Sequence, residues 1–249
     1  MKTMFRHLFF GLLGSSLIAS SNPPLAMALS EDEILEKLAI VPVFILLEES
    51  GSWTRNVVDL PNDGLGYVAA MRVFFNEADL ISFVETVRLE NPTFHQGGTF
   101  GIIDLATIMR RGSENQEIPL SPIFVPSTEA FEAARALESN FRGVPLFALQ
   151  DAPGSYLPLS SNGEGDETVF SMFFSKQDAE IVLDDINREN PDNPVVAQTQ
   201  VGVISFADFL DNLRNSNDQK FQFVRFAPDS EVVNQIQNLQ RALQNQQAP

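Results

Sequence analysis

Cysteine is absent from these 249 residues, and several other reactive or polar types are scarce: 2 His, 2 Tyr, 1 Trp, and 16 Lys plus Arg against 33 Asp plus Glu. Without cysteine there is no disulfide, no thiol nucleophile, no Cys-based zinc site and no haem attachment through C-x-x-C-H. Lipoprotein anchoring, which needs a Cys at the cleavage site, is closed as well. The formal charge of 16 − 33 = −17 argues against nucleic acid and against anionic lipid, because both need clusters of Lys and Arg. Beyond residue 28 no apolar run reaches the roughly 20 residues of a spanning helix, so no direct membrane span is expected. A hydrophobic content of 44% is still enough for a real core, and the length suits one large domain or two of ordinary size.

What is present begins with a targeting segment. Lys2, Arg6 and His7 make a basic start, residues 8–20 are apolar, and Ala26-Met27-Ala28 is an A-x-A cleavage signal. Residues 1–28 are therefore expected to be a cleaved signal peptide, with Leu29 as the first mature residue. Without a twin Arg, export by the general route is expected. Cleavage removes two cations and no acid, giving 14 − 33 = −19 for the mature chain and leaving His95 as its one histidine.

The mature chain repeats itself. Val41-Pro42-Val43-Phe44 returns as Val144-Pro145-Leu146-Phe147. Residues 74–92 return as 173–191, with identity at Phe74/Phe173, Phe75/Phe174, Asp79/Asp178, Glu90/Glu189, Asn91/Asn190 and Pro92/Pro191. Gly101-Ile102-Ile103 matches Gly202-Val203-Ile204, and Phe124-Val125-Pro126-Ser127 matches Phe226-Ala227-Pro228-Asp229. Four matches in one order imply a duplicated unit of about 100 residues, an ordinary domain size. The halves are assigned to 29–140 and 141–249, with a break near Ser139 to Gly143.

Each half reads β-β-α-β-α-β-α. Residues 41–47 and 144–149 are continuously apolar, as in strands covered on both faces. Turn-rich stretches at 59–64 and 160–166 suit hairpin loops. The next strand carries Met71, Val73 and Phe75, or Phe170, Met172 and Phe174, on a better-buried face, with polar Arg72 and Ser171 between them. Helices begin at Asn76 and Ser175, where Asp79 and Asp178 have capping-box spacing, and stop near Asn91-Pro92 and Asn190-Pro191. Strands at 100–103 and 201–204 lead into helices capped by Asp104 and Ser205. Strands near 120–125 and 221–227 end at Pro126 and Pro228, and helices at about 127–140 and 229–244 close each half. Residues 244–249, Gln-rich, read as a frayed tail. The fold class is α/β (α+β), with two pseudo-symmetric halves and helix-covered sheets.

No catalytic constellation is assembled. His95, in His95-Gln96-Gly97-Gly98, lacks a nucleophile context and reads as a loop residue. The acidic stretch Ser161 to Glu167 does not follow the calcium-loop pattern and reads as a solvated hairpin tip. Asp184 and Asp185 are adjacent and do not share a helix face. No metal or cofactor is assigned, and the protein is read as a non-enzyme. The 18 Phe of the mature chain carry more information. Phe has no polar handle for a wet interface, so most are expected in the core. Sheets apolar on both faces must be hidden or used for binding, and an apolar groove with an acidic rim would suit extended, basic polypeptide segments. The candidate apolar surface is Val43, Phe44, Met71, Phe75, Phe124, Leu146, Phe147, Met172, Phe174 and Phe226, strand positions that recur in both halves. Core packing is the competing role for each.

The leader, the opening Leu38 to Phe44, its echo at 144–147 and the two helices that follow Phe-Phe resemble the Tic twenty-two family, soluble proteins of chloroplast envelope translocation with cyanobacterial relatives. The resemblance spans the mature chain, and the bacterial-type leader points to a cyanobacterial member. It implies a periplasmic, chaperone-like translocation factor with hydrophobic surface pockets. It also implies that the factor contacts precursor polypeptides and serves outer-membrane protein biogenesis beside the periplasmic domains of the barrel insertase. The same leader would serve a thylakoid lumen. The rival readings are a periplasmic scaffold docked on one folded partner and, last, a carboxylate- or metal-dependent hydrolase.

Overall fold

The computed structural model describes residues 28–60, 66–113, 118–160 and 168–247. The signal segment up to Met27, much of the first hairpin loop and the acidic tip 161–167 lie outside the described residues. From the amino end come α1 (Glu31–Leu38), β1 (Pro42–Leu47), β2 (Asn56–Leu60), β3 (Gly66–Phe74), α2 (Glu77–Glu90), β4 (Thr99–Asp104), α3 (Leu105–Ser113), β5 (Leu120–Val125) and α4 (Thr128–Leu137). The chain continues through β6 (Pro145–Ala152), the two-residue strands β7 (Ser155–Tyr156) and β8 (Leu159–Ser160), β9 (Thr168–Phe173), α5 (Lys176–Glu189) and α6 (Pro194–Gln198). It ends with β10 (Gln200–Ser205), α7 (Phe206–Asn215), a 3-10 turn at Gln219–Phe223, β11 (Val224–Ala227) and α8 (Ser230–Gln247).

Two sheets result, with one strand plan between them. The first runs β2-β3-β1-β4 with β5 on β3, and the second runs β10-β6-β9-β11 with β7 on β6 and β8 on β9. The register repeats at the echoed motifs. Phe44 faces Phe74 as Phe147 faces Phe173, and Phe74 faces Val125 as Phe173 faces Ala227. The Phe75 N–H donates to the Val125 carbonyl at 3.2 Å, and the Phe174 N–H donates to the Ala227 carbonyl at 3.0 Å.

The repeated residues earn their places by local physics. Asn76 Oδ1 accepts from the Ala78 N–H at 2.8 Å, and Ser175 Oγ accepts from the Asp178 N–H at 3.3 Å. Asn91 and Asn190 close the same helices by donating back to Val87 and Ile186, each at 2.9 Å. Asp104 and Ser205 accept from the N–H of Thr107 at 2.8 Å and of Asp208 at 3.1 Å, as expected of N-caps. Ser127 and Asp229 do the same for α4 and α8, accepting from Ala130 at 3.1 Å and Glu231 at 2.8 Å. Asp79 behaves differently from the capping-box expectation. Its carboxylate accepts from the Thr128 N–H at 3.1 Å and from the Thr128 hydroxyl, so it supplements the cap of α4, 49 positions on.

Glycine recurs on β4 and β10 because neighbouring strands leave no room. A Cβ on Gly101 would sit 2.9 Å from Leu47 Cδ1 and 3.3 Å from Ile45 Cγ1. On Gly202 it would strike the side-chain amide of Gln150, which occupies the place of Leu47 in the second copy and is buried. At both positions the adjoining strand's side chain lies flat across the glycine.

Three sequence expectations change. The stretch 221–223 is 3-10 turn rather than strand, with β11 starting at Val224. The expected order β-β-α-β-α-β-α gains α1 and β2 in the first half and β7, β8 and α6 in the second. On β3 the face of Met71, Val73 and Phe75 is the better buried, as expected, although Phe74 on the opposite face is also in the core. Phe74 belongs to a cluster with Phe44, Leu46, Leu80, Val84 and Val232, while Arg72, on that same face, lies over the Phe83 ring at 4.7 Å. Finally, α8 reaches Gln247, past the expected end at 244.

The compact units also differ from the contiguous halves 29–140 and 141–249. One comprises Leu35–Pro145 together with Pro228–Pro249, and the other comprises Leu146–Ala227 together with the described residues up to Ile34. In the first unit, α8 brings Val232 and Ile236 onto the Phe44–Phe74 cluster. In the second, the start of α1 is tied to α7. The Leu29 N–H donates to the Leu213 carbonyl at 3.1 Å, and the Arg214 guanidinium grips the Glu31 carboxylate through two bonds of 3.1 and 3.0 Å.

Candidate polypeptide-docking surface

Of the ten residues proposed from the repeat, nine are core. Val43, Phe44, Met71, Phe75, Leu146, Phe147, Met172, Phe174 and Phe226 are all buried, at 7% exposure or less. Phe124 is half-buried, its ring 6.2 Å from that of Phe75. In the second unit Phe174, Phe206, Phe209, Phe221 and Phe226 form one aromatic network with centroid separations of 5.9–6.2 Å, mostly edge-on or tilted. Such contacts add about 0.5–1.5 kcal/mol each beyond area burial. Recurrence in both copies has selected side chains that hold the sheets together. In this conformation they offer a ligand no surface.

The exposed apolar side chains lie elsewhere, and several gather at one edge of the first unit. On β4, Phe100 and Ile102 are 41% and 46% exposed. They stand opposite Leu46 and Phe44, on the face that α8 covers further in. Next to them an open groove of about 430 Å³ is bounded by Ala39, Ile40, Pro42, Ile102, Ile103, Asp104, Val233, Ile236 and Gln237. Sequence elements explain its shape. The α1–β1 corner supplies Ile40, the β4 edge supplies the floor, and the amphipathic α8 supplies the wall. Asp104 is the only ionisable residue in this lining, and its carboxylate also caps α3. Sequence reasoning missed this groove. The available signal was the departure of Phe100 and Ile102 from Val201 and Val203, the smaller residues at the same places in the second copy.

His95 borders the same edge. Its backbone is left-handed, with φ of 55°. The imidazole stacks on Phe100 with centroids 5.8 Å apart and planes 6° from parallel. Arg88 fixes the loop by donating from Nε to the Phe94 carbonyl and from Nη2 to the His95 carbonyl, both at 3.0 Å. Gly98 completes the turn, since a Cβ there would lie 2.6 Å from the Leu47 carbonyl and overlap the imidazole. Desolvation lowers the His95 pKa below its ordinary value; a hydrogen bond with the Thr99 backbone opposes this, and Arg88 adds to it. His95 is thus half-buried against Phe100 in a fixed loop, and among the described residues its Nε2 has no hydrogen-bond partner.

Among the described residues no three His, Cys, Asp or Glu side chains converge to hold a metal, and no helix is long and apolar enough to cross a membrane. The arrangement offers aliphatic contact, one carboxylate and a strand edge.

Residues 10–239 match the family model described as the Tic22-like family. No curated protein matches the chain in sequence. Among solved structures, Tic22 of Anabaena, a protein of protein transport, is similar with a TM-score of 0.69 at 24% identity, over 84% of this chain and 97% of that one. Tic22 of Plasmodium falciparum is similar with a TM-score of 0.63 at 15% identity, over 84% and 98%. At these identities the two structures speak for the fold.

Proposed function

The chain belongs to the Tic22-like family, and from that premise we propose that it is a non-enzymatic protein-transport factor. It holds precursor polypeptides in an unfolded, extended state by apolar contact and hands them on without nucleotide. The observation that carries this reading is the aliphatic groove beside Phe100 and Ile102 on a chain of net charge −17. Apolar surface left uncovered at one place favours a binding role, and the acidic balance favours cationic clients. The name of the similar Anabaena protein agrees with transport. The basic start, the short apolar stretch and Ala26-Met27-Ala28 support export to the periplasm. There the clients would be outer-membrane proteins on their way to the barrel insertase.

The test mixes the mature chain with an unfolded outer-membrane barrel protein and follows aggregation by light scattering. Suppression at near-stoichiometric ratio, weakened by Ile102→Asp with the fold intact, supports the reading. Absence of suppression overturns it in favour of a scaffold bound to one folded partner, which crosslinking in cells would reveal as a single dominant product.

A further inference from the structure

The β4 edge has a polarity that the hydrogen-bond pattern reveals. Antiparallel partners alternate between pairs that exchange both backbone bonds and pairs that exchange none. The Leu105 N–H donates to the Val41 carbonyl at 2.8 Å, which sets 41 and 105 in phase with the bonded positions, although the Val41 N–H itself donates to the Leu38 carbonyl at 3.1 Å. The register Val43–Ile103, Phe44–Ile102, Ile45–Gly101 and Leu46–Phe100 then carries the alternation along the strand. Ile103 and Gly101 spend their backbone groups on β1, whereas Phe100 and Ile102 aim their N–H and C=O away from it. Among the described residues no strand lies on that side of β4. The strand therefore presents unpaired backbone groups and two exposed apolar side chains at the lip of an aliphatic groove. Proteins ordinarily cover or charge such an edge.

We infer that β4 binds its client by strand addition. The occupant is an extended segment of unfolded polypeptide whose alternate side chains are aliphatic and which carries Lys or Arg at its flank. Backbone groups of Phe100 and Ile102 give the affinity, the side chains on one face of the added strand enter the groove between β4 and α8, and basic residues meet Asp104 and the acidic chain. A second copy of this protein is a poorer occupant, because two chains of net charge −17 repel. Strand addition reads backbone and alternation rather than sequence, which is what a carrier of many clients requires. The inference rests on the client-binding reading above and specifies its mode.

The probe is a fluorescein-labelled decapeptide of alternating Val and Thr with Lys pairs at both ends, titrated with the mature chain by fluorescence anisotropy. Ile102→Pro removes one outward N–H and leaves the β1 ladder whole, since proline is tolerated where an edge strand faces solvent. Ile102→Ala removes the side chain and keeps the N–H. The expected result is at least a tenfold weaker binding for Ile102→Pro and a smaller loss for Ile102→Ala. With the unaltered protein, peptides N-methylated at one alternate set of residues should fail to bind and those methylated at the other set should bind. This second comparison decides the matter should Ile102→Pro not fold. Equal binding of both methylated peptides, or equal effects of the two variants, overturns strand addition. If barrel aggregation is still suppressed in that case, client binding stands and only its mode falls. If neither peptide nor barrel binds, the reading beneath it falls as well. A dimer in sedimentation that Ile102→Pro dissociates, with peptide binding unchanged, would overturn the proposal in favour of a second copy.

Discussion

Replacing Val232 by Ala tests whether the last helix belongs to the first sheet. Val232 is 3% exposed and sits in the cluster of Phe44, Leu46, Phe74, Leu80 and Val84. The change deletes two buried methyl groups, worth about 0.8 kcal/mol each in transfer, and leaves a cavity that raises the cost to about 2–3 kcal/mol. Trp53 is the chain's single tryptophan and lies in the same compact unit, under the Arg111 guanidinium at 4.4 Å. Its fluorescence therefore reports that unit. With a urea dependence of about 2 kcal/mol per molar, the Trp53 transition should move down by about 1–1.5 M. Asn234→Ala, on the exposed side of the same helix, should move it by less than about 0.3 M, as surface changes usually cost within about 0.5 kcal/mol. A Trp53 transition unmoved by Val232→Ala would refute the assignment of α8 to this core and restore the contiguous division of the chain.

Asp79→Ala should cost about 1 kcal/mol, the usual loss of a cap, by releasing Thr128 at the start of α4; thermal melting would show it, and an unchanged Tm would contradict it. Gly98→Ala should cost about 1–3 kcal/mol as overpacking against a backbone carbonyl that cannot retreat, and it should displace the His95 proton resonances in NMR spectra. His95 should titrate below its ordinary value of 6.5. With the folded pKa depressed, the unfolded chain binds the proton more readily, so this contribution to stability is whole above about pH 6.5 and is lost as pH falls through the folded value. An NMR titration of the imidazole giving a midpoint above 6.5 would contradict the burial argument.

The main strands, the helix caps and the echoed motifs were legible because each follows from short-range rules. Asp104, Ser205 and Ser127 announce helix starts by side-chain chemistry alone, and the continuous apolar runs at 41–47 and 144–149 announce buried strands. Three things were not legible, for one reason. Asp79 caps a helix 49 residues away, α8 covers a sheet assembled from the chain's first half, and residues 221–223 turn rather than extend. Each is decided by neighbours remote in sequence. A spacing rule that assigns Asp79 to its own helix cannot see Thr128, and a repeat that assigns 229–244 to the second half cannot see Phe44.

The same logic explains why the candidate surface moved. Positions were chosen for recurrence, and in a duplicated plan recurrence is imposed wherever both copies need the same packing. Phe44 and Phe147 recur because each must face a Phe across its sheet, and Gly101 and Gly202 recur because a side chain crosses each of them. A binding site used once has no such constraint, so it belongs where the copies diverge. On β4, Phe100 and Ile102 are exposed, whereas their counterparts on β10, Val201 and Val203, are smaller and half-buried. The edge that departs from its echo is the one beside a groove. Exchanging the pair, with Phe100→Val and Ile102→Val, should therefore weaken client binding through lost apolar contact while leaving the fold intact, because each replacement is the residue that the same strand position already carries in the other sheet.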